Sequence, residues 1–333
     1  MKVLVVMPNG PEEAYAPLVE AGHEVAFGVS GDTRFVRMPD HELIALAEGA
    51  ACLVFNVASR TVLESLPQLT TVVSPYVGFD KIDVPAATEA GILVCNTVTT
   101  LTATATAEAT VALLLALAKR LVRRIARLRD GGWIDDADGA LLLSGSTVGI
   151  VGLGRIGSGV ARRLAGWDVR LLAHTRTPRP ELMAELGVEP VDLPTLLRES
   201  DFVTLHVSLN PETEGMIGEA ELRSMKPTAS LINTSRGLVV DEEALARAIR
   251  EEWIAGAALD AYVTEPLPAD SPLRDLDPER VILTPHAMSG TETMRARTKR
   301  LIMDTVLTAL RGEMPGSALN PDVLPRWRGR AQA

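Results

Sequence analysis

Thr147-Val148-Gly149-Ile150-Val151-Gly152-Leu153-Gly154-Arg155-Ile156-Gly157 is an apolar run that ends in G-x-G-x-x-G. A short Val/Ile run of this kind reads as a strand buried on both faces of a parallel sheet. The glycines then open a helix that contains Val160-Ala161-Arg162-Arg163-Leu164. Gly152 permits a tight turn, Gly154 lets backbone approach a phosphate, and Gly157 lets the helix pack on the strand. The helix N-terminus offers unpaired N–H groups, those of Arg155 and Ile156 among them, and the positive end of a dipole. The stretch predicts a strand, a pyrophosphate-binding turn and a helix in succession.

Outward from this turn, short apolar runs alternate with helix-length segments. Strands are expected at 2–7, 24–28, 51–57, 71–74 and 92–95, then at 147–151, 168–173, 201–207, 229–233, 255–259 and 281–284. Two such series mean two doubly wound parallel-sheet α/β units. Between them, Ala103 to Asp130 reads as one long helix closed by Gly131-Gly132, apolar enough to sit between domains or subunits. A last helix is expected from Thr291 to Arg311, stopped by Gly312, and the tail from Pro315 carries no periodicity.

With 333 residues, 47% hydrophobic and 23% charged, the chain is long enough for two buried cores and too apolar for disorder. A formal net charge of −10 argues against nucleic acid, which needs a basic face. Its two cysteines, Cys52 and Cys95, lie inside apolar runs and read as reduced core residues, with no spacing for a metal. The first apolar run is ended by Pro8-Asn9-Gly10, too early for a signal core, and no stretch reaches the ~20 apolar residues that cross a bilayer. A cytoplasmic protein without membrane or nucleic-acid partners is expected.

The strand after the glycine turn ends in His174-Thr175-Arg176-Thr177-Pro178-Arg179. A carboxylate at this point pairs with the ribose 2′-OH of NAD, whereas arginines accommodate the 2′-phosphate of NADP. Thr175 stands where the acid is expected and Arg176 and Arg179 follow. The loop predicts NADPH as the preferred cofactor and NADH as second choice.

Three polar residues follow later strands: Arg236 in Ile232-Asn233-Thr234-Ser235-Arg236-Gly237, Glu265 in Tyr262-Val263-Thr264-Glu265-Pro266, and His286 in Leu283-Thr284-Pro285-His286. A guanidinium can bridge the carboxylate and carbonyl oxygens of a 2-oxo acid in a planar, two-pronged contact. An imidazole is the natural proton donor near neutral pH, and a carboxylate on its far nitrogen favours the imidazolium. Together with the nucleotide turn, the set predicts hydride transfer between a nicotinamide and a small 2-oxo acid. Asp260, which ends Ala257-Ala258-Leu259-Asp260, is the expected partner of the nicotinamide carboxamide, and His174 is expected near the cofactor. His23, His41 and His206 read as structural.

Gly152-x-Gly154-x-x-Gly157, Asn233-Thr234-Ser235-Arg236-Gly237, Leu259-Asp260 with Glu265-Pro266, and Thr284-Pro285-His286 resemble the D-isomer-specific 2-hydroxyacid dehydrogenase family. Val77-Gly78-Phe79-Asp80-Lys81-Ile82-Asp83 and the helix start at Ala107-Glu108 extend the resemblance over most of the chain. It implies a Rossmann NAD(P)-binding domain, 99–287, inserted into a flavodoxin-like substrate domain made of 1–98 and 288–333. It further implies a homodimer built on the long helix, Thr234 among the cofactor residues, and Val77 and Gly78 N–H groups that hold the substrate carboxylate beside Tyr76. The basic loop from Arg176 to Pro180 looks most like the glyoxylate/hydroxypyruvate reductase branch.

Two features depart from that pattern. Tyr76 stands where many members have glycine, and Val98-Thr99-Thr100 replaces a Pro-Gly step after Asn96-Thr97. They leave room for a bulkier 2-oxo acid. Another reading is a nucleotide-sensing regulator, like the corepressors that resemble this family; the intact Arg236, Glu265 and His286 set favours an enzyme. Formate dehydrogenases of the group pair the histidine with an amide, and the candidate here is a carboxylate.

Overall fold

The computed structural model describes all residues except 7–11, 29–37, 99, 134–138 and 333. It divides into two compact units, Met1–Thr99 with Thr291–Ala333, and Thr100–Gly290.

The first unit runs β1 (Lys2–Val5), α1 (Ala16–Glu20), β2 (Glu24–Phe27), α2 (Asp40–Leu46), β3 (Ala50–Val54), β4 (Val57–Ala58), α3 (Arg60–Ser65), β5 (Thr71–Val73), β6 (Lys81–Ile82), α4 (Val84–Glu89) and β7 (Leu93–Cys95). Its main sheet has the order β2-β1-β3-β5-β7, all pairs parallel, while β4 and β6 form a separate two-stranded ladder. Counting only its own strands, the main sheet is ordered 2-1-3-4-5, the flavodoxin-like winding. The pleat sorts the side chains. Leu4, Leu53, Val72 and Val94 join Leu43, Val62, Leu63 and Ala87 on one face, and Val3, Val5, Val54 and Leu93 meet Tyr15 and Leu18 on the other.

Cys52 and Cys95 lie in that second layer as fully buried free thiols. Burial pushes both up, Cys95 to about 12, so neither supplies a thiolate near neutral pH. Iodoacetamide at pH 8 is therefore expected to label neither cysteine in the native protein and both after denaturation. Fast native labelling, read by mass spectrometry, contradicts this.

The second unit continues with α5 (Thr100–Ala118), α6 (Leu121–Arg129), β8 (Thr147–Val151), α7 (Arg155–Leu164), β9 (Arg170–His174), α8 (Pro180–Leu186), β10 (Val188–Pro190), α9 (Leu193–Glu199), β11 (Phe202–Leu205), α10 (Glu219–Ser224), β12 (Ser230–Asn233), α11 (Glu242–Arg250), β13 (Gly256–Leu259) and β14 (Val281–Leu283). The sheet order is β10-β9-β8-β11-β12-β13-β14, parallel throughout. Winding reverses between β8 and β11, which marks a crevice at the C-terminal strand ends. Val148, Ile150, Leu171 and Phe202 pack with α5 and α7 residues on one face; Val151, Leu172, Val203 and Leu231 pack with Leu245 and Ile249 of α11 on the other. Two doubly wound parallel sheets are thus present, as the strand rhythm predicts.

The chain then returns to the first unit with α12 (Glu292–Leu310) and α13 (Leu324–Gln332). Thr291 caps α12 by accepting the Met294 N–H at 3.2 Å. Ile302 and Val306 of α12 and Trp327 of α13 complete the layer around Val3 and Leu93. The Arg330 guanidinium donates to the carbonyls of Leu66, Leu69 and Ala90.

Two expectations are corrected. The segment from Ala103 to Asp130 is two helices, because Arg120 takes a left-handed φ of 48° and the returning chain captures the end of α5: the Leu141 N–H donates to Ala118 O at 2.7 Å. The tail from Pro315 is irregular at first, as expected, and helical from Leu324. Leu101–Ala118 is, among the described residues, long and apolar enough to cross a membrane by length and composition. Within this unit it packs on α7, β12 and β13. Of the expected 2–7 strand, Met7 lies outside the described residues.

Candidate active site

β8 delivers the glycine turn to the winding reversal. The Gly152 N–H donates to His174 O at 2.8 Å and the His206 N–H to Val151 O at 2.7 Å, so the ends of β9, β8 and β11 are tied together. A Cβ at Gly157 would overlap the Gly152 carbonyl oxygen, so the approach of α7 to β8 itself demands glycine there. At Gly154 an added Cβ would meet no protein atom within 4 Å. The protein's own packing does not call for glycine at that position; the open space in front of the α7 N-terminus suits a pyrophosphate. Arg155 and Ile156 open that helix.

In the loop after β9, Thr175 is half-buried and Arg176 projects into solvent, 81% exposed, with Nη1 3.7 Å from Glu212 Oε2. An ion pair so exposed contributes little. Arg179 behaves differently: Nη2 donates to Leu153 O at 2.9 Å and so braces the glycine turn. His174 lies beside it, Nδ1 3.4 Å from Val191 O.

After β12 the chain is folded by Asn233. Its Oδ1 accepts from the Ser235 N–H and hydroxyl at 3.0 and 2.8 Å, and its Nδ2 donates to Arg236 O at 2.9 Å. This Asx turn sets the direction of Arg236, whose Nη1 donates to Ser235 O at 2.8 Å. Thr234 Oγ1 lies 2.8 Å from Thr110 Oγ1 in a buried contact.

After β14, His286 has a φ of 49°. A left-handed histidine is costly, on the order of 1–3 kcal/mol, and persists only where its surroundings enforce it. Asp260, at the end of β13, does much of the enforcing: Oδ1 accepts from Thr284 Oγ1 at 2.6 Å and from the Ala287 N–H at 3.1 Å. The Asp260 carboxylate thus holds the histidine loop. Burial pushes the Asp260 carboxyl above its ordinary value. Tyr262 supports the same loop, its hydroxyl 3.0 Å from Leu259 O and 2.8 Å from Thr284 O.

Glu265 and His286 come together. His286 Nδ1 is 2.7 Å from Glu265 Oε1, and the Glu265 side chain is 14% exposed. A carboxylate only accepts, so Nδ1 carries the hydrogen toward Glu265 and Nε2 is the nitrogen through which a proton can be exchanged. Gly152, Thr175, Arg236, Asp260 and His286 all follow the C-terminal ends of strands of one parallel sheet. The arrangement can orient a carboxylate, polarise a carbonyl and deliver a proton.

In the first unit, the loop after β5 turns its carbonyls inward. Ser74 Oγ donates to Tyr76 O and Gly78 O, and Asn96 Nδ2 donates to Val77 O. The departure at Val98-Thr99-Thr100 includes Thr99, which lies outside the described residues. Of the histidines read as structural, His41 is exposed on α2 and His206 is buried, pushed down to about 3 by burial and hence neutral. Among the described residues no group of acids, cysteines and histidines could hold a metal ion.

Asn233, Tyr262, Ser74 and Asn96 were not singled out in the sequence. Asn233 had a legible signal, an Asx residue at a strand end before Ser. Tyr262 had none, since one partner lies 22 residues away.

Residues 111–287 match the family model for the D-isomer specific 2-hydroxyacid dehydrogenase NAD binding domain. The chain is 46% identical over 287 residues to a glyoxylate reductase of Korarchaeum cryptofilum, covering 85% of this chain and 86% of that protein. A glyoxylate reductase of Thermococcus litoralis is 42% identical over 290 residues, with 85% and 86% covered. A protein of known structure from Thermus thermophilus superposes with a TM-score of 0.85 at 37% identity, over 96% of this chain and 100% of its own. With the glycine turn, the Arg236 loop and the Glu265–His286 pair on one sheet edge, this likeness assigns the chain to the D-isomer-specific 2-hydroxyacid dehydrogenase family.

Proposed function

We propose that this protein is an NAD(P)-dependent reductase that converts a small 2-oxo acid of the glyoxylate or hydroxypyruvate kind to its D-2-hydroxy acid, with NADPH preferred. The observation that carries the reading is the 2.7 Å contact of His286 Nδ1 with Glu265 on the same strand-end row as Arg236 and the glycine turn. The names of the similar glyoxylate reductases support the substrate class. When bound, the reduced nicotinamide supplies the hydride.

Arg236 holds the carboxylate and carbonyl oxygens of the substrate through its guanidinium fork. His286, oriented by Glu265, delivers a proton to the forming alkoxide through Nε2. Gly152, Gly154, Arg155, Ile156, Gly157, Thr175, Arg176, Arg179 and Thr234 are the cofactor-facing group, and Asp260 is the partner of the nicotinamide carboxamide. In the Met1–Thr99 unit, read as the substrate domain, the Val77 and Gly78 N–H groups beside Tyr76 are the carboxylate donors. A homodimer built on α6 is supported by exposed Leu121, Val122, Ile125 and Leu128, with Trp133 76% exposed just beyond.

The test is loss of reduced-nicotinamide absorbance with glyoxylate, hydroxypyruvate and phenylpyruvate, each with NADPH and NADH. Turnover of the small acids that favours NADPH is expected; a lack of turnover with all three acids rejects the proposal. A charge-assisted bond to phosphate contributes about 1.5–3 kcal/mol. Thr175→Asp combined with Arg176→Ala is therefore expected to lower the NADPH-over-NADH ratio of kcat/KM by roughly 10–100-fold. Unchanged selectivity removes Arg176 from the 2′-phosphate site.

A further inference from the structure

In the segment that leads to Glu265, the Val263 N–H is held by a carboxylate that the reaction as described does not use. The Val263 N–H donates to Glu242 Oε1 at 2.7 Å. One residue earlier, the Tyr262 N–H donates to Glu265 Oε1 at 3.1 Å, and that same oxygen faces His286 Nδ1. A Cβ on Gly237 would overlap the Tyr262 carbonyl and the Val263 nitrogen, so this peptide is also in close contact with the loop that carries Arg236. Two carboxylates thus take successive amides of one short segment.

Glu242 is built into a rigid element. It is the first residue of α11, directly after Asp241, whose side chain caps the helix by accepting the Ala244 N–H at 3.0 Å. Ala244, Leu245, Ala246, Ala248 and Ile249 bury the helix in the core. An acid in a first turn favours the helix dipole, and that alone would explain a surface glutamate. It does not explain this one. Glu242 is partly buried, and its Oε1 accepts the Val263 N–H at 2.7 Å from a segment 21 residues away.

We propose that Glu242 is a positioning residue: its carboxylate, carried on α11, fixes the Val263 amide and thereby keeps Glu265 aimed at His286. This rests on the proposed reductase reading, in which Glu265 acts through His286. What matters is an acceptor oxygen at the right reach, which glutamine retains and alanine lacks.

The experiment uses the full-length protein with NADPH and glyoxylate, and compares Glu242→Ala, Glu242→Gln, Glu265→Gln and the double variant E242A/E265Q. Glu242→Ala is expected to lower kcat about tenfold through misalignment, with KM and NADPH affinity within about twofold of the parent. Glu242→Gln recovers most of that loss. In the Glu265→Gln background, Glu242→Ala adds less than about twofold, because the aim it maintains is already without effect. The inference is overturned by unchanged kcat in Glu242→Ala, by an equal loss in Glu242→Gln, or by a full tenfold loss on top of Glu265→Gln. Wild-type kcat in Glu265→Gln alone overturns the underlying Glu265–His286 reading, and this inference with it.

Discussion

Replacing His286 with alanine is expected to lower kcat by roughly 10²–10⁴-fold while NADPH still binds, because a positioned general acid contributes about that factor. The loop that carries it is held by Asp260 and Thr284 rather than by the imidazole, so the substitution removes the proton donor and leaves its support in place. Binding measured by nicotinamide fluorescence separates a loss of chemistry from a loss of fold. Retention of a tenth or more of kcat would exclude His286 as the donor. Glu265→Gln tests the second half of the pair. It removes the negative charge 2.7 Å from Nδ1, and kcat is expected to fall while NADPH still binds; an unchanged kcat excludes Glu265 as the partner on which His286 depends.

Gly237→Ala carries the second large effect. The added methyl would overlap backbone atoms of Tyr262 and Val263, which cannot rotate away as a flexible side chain could. Relief requires a shift of the Arg236 loop or of the segment leading to Glu265. Overpacking of this kind costs typically 1–3 kcal/mol, which for a chain of this size lowers Tm by several degrees. A displaced guanidinium should cost at least about tenfold in kcat as well. Gly154→Ala is the control, since its Cβ would meet no protein atom within 4 Å. Its Tm should stay at the parent value while dinucleotide affinity falls. If Gly154→Ala melts early and Gly237→Ala does not, the two glycines have been given each other's roles.

Much of the fold was legible because parallel strands buried on both faces leave uninterrupted apolar runs, as in Val148 to Val151 and Phe202 to Leu205. Val188–Pro190, which pairs with β9 at the sheet edge, left no such mark: three residues with a glutamate and a proline read as loop. The break at Arg120 was equally hidden, since a left-handed arginine has no sequence signature and the capture of Ala118 by Leu141 joins positions 23 apart.

The chemical set was legible for a related reason. In a parallel sheet, residues just past successive strands must lie along one edge, so Arg236, Asp260 and His286 could be gathered from strand positions alone. Which of them touches which was not contained in that argument. Periodicity and the glycine turn were enough to determine the two wound sheets and the residue types at their C-terminal edge. That Glu265 meets His286 was expected from the residue types; only the tertiary structure decided that Asp260 also holds the histidine loop, that Arg179 braces Leu153, and that Glu242 holds Val263. The physical reason is range. Strand and helix signals are local averages over neighbouring residues, whereas each of these contacts depends on the direction of one side chain across a gap of at least 21 residues.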